Sequence, residues 1–170
     1  VDVDWYLSRQ KDLQGEGLDP AVVPGALHAS LTVLEKWGTM SFEQVAASAI
    51  AYAENGFPMR SSTYRAIQNQ LKFFEKWPGN KTYWLKPDGS LYRPGETIKL
   101  PALARTLKRM VEAERAAKSK GRVAGIAAAR DRFYKGDLAK EMVGFLQQHG
   151  APFDRDPQPH LGPGGFRAVT

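Results

Sequence analysis

Apolar residues recur along this chain at helical spacing, in short stretches separated by glycine, proline and small polar residues. Leu27, Leu31 and Leu34 stand at i, i+4 and i+7 behind Val23-Pro24-Gly25, which predicts a helix ended by Gly38. Ser41 opens the next helix with Gln44 three residues on. That spacing is a capping box, in which each side chain satisfies an orphan backbone amide. Phe42, Val45, Ala46, Ala49, Ile50 and Ala53 form its apolar stripe. Gly56 is placed to take a left-handed conformation past its end, and Pro58 prevents continuation. A third helix carries Tyr64, Ile67, Leu71 and Phe74, is capped by Ser61 or Ser62, and stops before Pro78-Gly79. Leu100, Leu103, Leu107, Met110 and Val111 mark a fourth, with Pro101 tolerated in its first turn. The last helix starts with Asp137 as its cap and runs through Leu138, Met142, Phe145 and Leu146 to Gly150.

Between the third and fourth helices the period changes. Tyr83-Trp84-Leu85 and Ser90-Leu91-Tyr92 flank Lys86-Pro87-Asp88-Gly89, whose turn chemistry predicts a short hairpin or extended ribbon. Residues 112–132 are rich in Ala, Lys, Arg and Glu, with Gly121 and Gly125 as interruptions; an extended helix, a helical hairpin and a mobile insertion all fit. Residues 1–22 read as an irregular lead-in. Residues 154–170, with Pro157, Pro159 and Gly162-Pro163-Gly164-Gly165, read as an irregular tail. The expected fold is therefore mainly α with a short extended insert. Each helix has one apolar stripe and must pack, either on its neighbours or on a sheet.

Composition narrows the chemistry. The 170 residues carry 42% hydrophobic and 25% charged residues, ordinary for a globular chain. No run approaches the ~18 apolar residues that a membrane helix needs. The first residues lack the basic start of a signal peptide, and with no Met they read as the interior of a longer chain. The absence of cysteine excludes disulfides and thiolate ligands. Net charge is +6, yet residues 99–140 alone hold twelve Lys and Arg against four Asp and Glu, leaving the rest slightly acidic.

The glycine and aromatic phrases have an order of their own. Val23-Pro24-Gly25, Lys36-Trp37-Gly38-Thr39 and Ala53-Glu54-Asn55-Gly56-Phe57 come first. Asp88-Gly89, Pro94-Gly95, Leu103-Ala104-Arg105-Thr106-Leu107 and Phe133-Tyr134-Lys135-Gly136-Asp137-Leu138-Ala139 follow. This series, across residues 23–153, resembles part of the large subunit of the gamma-glutamyltransferases (glutathione hydrolases), which are N-terminal-nucleophile hydrolases. Physically the phrases are architectural: glycines as helix stops, with Phe57, Phe133 and Tyr134 as core anchors. Residues 112–132 depart from the family as an added basic insertion. The resemblance ends near Gly150-Ala151-Pro152-Phe153-Asp154, without the family's glycine-pair phrase and strand.

The resemblance implies the helical layer of an αββα sandwich. It implies gamma-glutamyl transfer to water or amino acids, through a threonine exposed by autocleavage at the start of a small subunit. It implies no cofactor, and a periplasmic or extracellular setting. None of the family's catalytic or substrate-binding residues maps onto this chain, so no catalytic, substrate-binding or metal residue is assigned. Thr170 lies at the wrong end to be such a nucleophile, and Thr39 sits in a turn phrase that suits capping. His28, His149 and His160 are isolated, Ser61-Ser62 has no triad partner, and Glu16 and Asp19 lack paired-carboxylate spacing. The expectation is a segment inactive alone that needs the small-subunit portion of its precursor. The alternatives are a non-catalytic helical interaction module, or a basic nucleic-acid binder using Lys108, Arg109, Arg115, Lys118, Lys120 and Arg122.

Overall fold

A computed structural model describes residues 22–76 and 78–149. They form helices α1 (Gly25–Trp37), α2 (Phe42–Asn55), α3 (Ser61–Asn69), α4 (Leu71–Lys76), α5 (Pro78–Trp84), α6 (Pro101–Ala116), α7 (Arg122–Tyr134) and α8 (Asp137–Gln148). Strands β1 (Phe57–Pro58) and β2 (Thr97–Ile98) make one small antiparallel pair. A 3₁₀ turn, Lys118–Lys120, separates α6 from α7. The fold is mainly α, as the spacing predicts. The lead-in and the tail fall outside the described residues, apart from Val22.

The chain divides into two compact units, one of residues up to Gln44 together with those from Arg109 onward, the other of Val45–Lys108. In the first, Tyr134, Ala139 and Val143 form a buried cluster, against which Val23, Leu27, Phe133, Met142 and Leu146 pack. Leu31, Met110 and Ile126 are also among its most buried side chains. In the second, Met59, Ile67 and Ile98 form the cluster under Phe57, Tyr64, Phe74, Trp84, Leu91, Tyr92 and Leu100.

Local chemistry explains the helix ends. Ser41 and Gln44 make the capping box: the Ser41 amide donates to Gln44 Oε1 at 2.9 Å, and the Gln44 amide to Ser41 Oγ at 3.2 Å. Gly56 has φ +103°, and a Cβ there would meet Thr97 Cγ2 at 2.3 Å, so glycine serves both the turn and the close approach of β2. The Met59 amide then donates to the Glu96 carbonyl at 2.8 Å, extending the β1–β2 contact.

Three expectations need correction. Ser61 and Ser62 lie inside α3; the capping position falls to Arg60, which makes no side-chain cap bond. The stripe through Phe74 is split at Gln70, whose φ of −123° and ψ of 26° are not helical, so α3 and α4 are separate. The helix through Phe74 does stop before Pro78-Gly79, at Lys76, but Pro78 starts a further helix, α5, because a proline at the first helical position gives up an amide that has no partner there. The hairpin consequently shrinks to one bridge, Leu85 to Leu91, around the Lys86–Gly89 turn, while Tyr83 and Trp84 remain helical.

Candidate functional site

The basic stretch folds as two helices joined by the 3₁₀ turn, and most of its charges are spent within the protein. Arg122 reaches the end of α1, donating to the carbonyls of Leu34 at 3.0 Å and Glu35 at 2.9 Å. A cation there suits the negative end of the helix dipole. Arg130 pairs with Glu35. Arg115 grips Glu43 through both Nε and a terminal nitrogen. Lys108 pairs with Glu54 at 2.6 Å. Of the six nucleic-acid candidates, Lys108, Arg109 and Arg115 are ion-paired and Arg122 is bonded to helix carbonyls, while Lys118 and Lys120 are exposed on the turn.

Glu114, 7% exposed, is the buried charged residue among the described residues of the first unit. Its carboxylate accepts from the Phe42 amide at 2.6 Å and the Glu43 amide at 2.7 Å, so α6 caps the N-terminus of α2 from 72 and 71 residues away. Two charge-assisted bonds at the positive end of a helix dipole compensate its burial. Gly125 on α7 makes room, since a Cβ there would lie 3.0 Å from Glu114 Cγ. Periodicity carried a signal for this residue: Glu114 follows Met110 and Val111 at i+4 and i+3, on the apolar face of α6. A cleft of ≈ 890 Å³ opens here, lined by Ser41, Glu43, Glu114, Arg115, Lys118 and Arg122, among others.

At the start of α8, Asp137 is held by two guanidinium groups, Arg132 at 2.6 and 2.8 Å and Arg109 at 2.6 Å. Hydrogen bonds from Arg132 and then Arg109 hold its carboxyl far below the usual carboxylate range. Arg109 also pairs with Glu141, and these two carboxylates raise its own pKa. The N-cap position falls to Gly136, one residue before the expected Asp137, which instead accepts the Leu138 amide at 3.0 Å from the first helical position while the two arginines clamp it.

Tyr134, 1% exposed, donates its hydroxyl to the Pro24 carbonyl and accepts the His28 amide at 2.9 Å. Burial pushes its phenol pKa up. The His28 ring stands edge-on to Tyr134, with centroids 5.8 Å apart, and its buried Nδ1 has no protein partner. His149 donates Nδ1–H to the Phe145 carbonyl at 2.8 Å and stacks on the Phe145 ring, as a residue satisfying the last turn of α8 should. Thr39 is exposed after α1. Ser30 and Thr32 return their hydroxyls to carbonyls of their own helix. Thr170, His160, Glu16, Asp19 and the glycine-proline run at 162–165 lie outside the described residues. Among the described residues, no group of three or more His, Asp or Glu could hold a metal ion, and no helix is long and apolar enough to cross a membrane.

These features define a class: a helical framework whose unusual polar residues bind helix ends together. The chain belongs to the gamma-glutamyltranspeptidase family, whose pattern matches residues 1–156, including positions ahead of Val23 where no phrase stands out. It is 31% identical over 128 residues to the glutathione hydrolase proenzyme of Bacillus subtilis, a match covering 75% of this chain and 19% of that relative. It is 32% identical over 106 residues to the oxamate amidohydrolase proenzyme of Klebsiella pneumoniae, covering 62% of this chain and 17% of that one. Its fold is similar to that of Helicobacter pylori gamma-glutamyltranspeptidase, with a TM-score of 0.69 at 24% identity, over 82% of this chain and 36% of that chain. The chain thus spans about a fifth of the length of these curated relatives.

Proposed function

We propose that the chain is a scaffold segment of a gamma-glutamyltransferase or glutathione hydrolase type of enzyme, and that the segment has no such activity alone. The supporting observation is what the matched phrases do. Gly38 and Gly56 stop helices, Tyr134 ties down the start of α1, and Asp137 anchors α8. None of them pairs a nucleophile with a base, the arrangement that acyl transfer requires. The nucleophile and the oxyanion donors come from the remainder of the family architecture, supplied with the small subunit.

The parent reaction transfers a gamma-glutamyl group to water or to an amino acid. A relative named for oxamate amidohydrolysis shares the matched sequence pattern, so the scaffold alone does not fix which acyl group is accepted. The purified 170-residue chain is expected to release no 4-nitroaniline from gamma-glutamyl-4-nitroanilide. Sustained release above the buffer blank overturns the proposal.

A further inference from the structure

The corner at residues 38–41, where α1 gives way to α2, is fastened on both sides by one short piece of distant chain. Arg122 holds the α1 side. Besides the Leu34 and Glu35 carbonyls, its guanidinium reaches the Met40 carbonyl inside the corner at 3.4 Å. Glu114 holds the α2 side through the Phe42 and Glu43 amides, and Arg115 adds the Glu43 carboxylate. Each charge has the sign that its helix end attracts, a cation after α1 and an anion before α2. The turn between α6 and α7 sets both grips. Gly121, at φ +95°, sends the chain back after Lys118–Lys120, and Gly125 lets α7 lie against Glu114 itself. What the grips hold is apolar and open, since Trp37 is 73% exposed and Met40 46%.

We infer that this turn is a proteolysis-sensitive latch, which keeps the corner and its Trp37 and Met40 in one conformation while the chain through residues 118–121 is intact. Those four residues are exposed, and a protease that cuts after lysine can hydrolyse the Lys120–Gly121 bond. Water then leaves a carboxylate on Lys120 and an ammonium on Gly121. Each new charge meets the wrong helix end, the carboxylate following α6 and the ammonium at the N-cap of α7. The two grips keep their partners but lose the link that makes them open together. The corner therefore opens more often once the turn is cut. Arg122 and Glu114 are its positioning residues.

Amide hydrogen exchange of the full chain, read residue by residue by NMR, tests the latch through amides that each substituted residue does not touch. In R122Q, exchange at the Phe42 and Glu43 amides is expected to rise about tenfold, although both are bonded to Glu114. In E114Q, the Gly38 amide, bonded to the Leu34 carbonyl, is expected to speed up in the same way. R122K, which keeps the charge, should recover part of the protection. Chain cut after Lys120 alone should exchange faster at all three amides, while those of Met142 and Val143 in α8 hold their rates. Effects confined to Gly38 in R122Q, and to Phe42 and Glu43 in E114Q, would mean two independent caps and overturn the latch. Unchanged exchange in the cut chain overturns it too, as does an equal rise in α8, which marks global destabilisation. Should E114Q fail to fold, R122Q and the cut chain still decide.

Discussion

Replacing Glu114 with alanine strips both acceptors from the first amides of α2 and leaves those donors without their buried partner. A loss of about 2 to 3 kcal/mol is expected in urea unfolding, with glutamine costing less because it keeps one acceptor. Gly125 is coupled to the same carboxylate. Alanine ordinarily favours a helix by ~1 kcal/mol over glycine, but here its Cβ would press on Glu114 Cγ. G125A should therefore destabilise the wild-type chain and become neutral or stabilising in E114A, a reversal that a double-mutant cycle reads directly. Tyr134 gives a third case: Y134F keeps the ring in its cluster and loses the bonds to Pro24 and His28, for about 1 to 2 kcal/mol.

At the scale of elements, the N-terminus of α8 sets the response to acid. The Asp137 pKa is depressed in the folded state, so the folded chain binds fewer protons there than the unfolded chain does. The stability it contributes is present above the unfolded value and is lost as pH falls from about 4 toward the native value. A melting temperature followed from pH 6 to pH 2 should drop steeply in the wild type and less steeply in D137N, which starts lower.

Sequence reasoning reached α1, α2, α6 and α8 because each announces itself by a long apolar period and a glycine or proline stop. It missed the α3–α4 break at Gln70 and the start of α5. Both depend on short-range geometry within 61–84, where helices of nine, six and seven residues leave little periodicity to read. The partners of Glu114 and Asp137 were illegible for another reason. Their bonds cross 72 and 28 residues, distances at which only the tertiary fold decides which charge meets which helix end.

For the whole molecule, the arginines that could have marked a nucleic-acid surface are engaged with carboxylates and helix carbonyls. Oligonucleotide should accordingly fail to shift with this chain even at about 50 mM salt, where nonspecific electrostatic binding is strongest. The Glu114 network carries one more consequence. Trypsin has an exposed target at Lys120, on the turn between α6 and α7. A cut there leaves Glu114 on one fragment with α2, and Arg122 and Tyr134 on the other, still bonded to α1. The nicked product should elute as a single peak under native conditions and separate into two bands only in detergent.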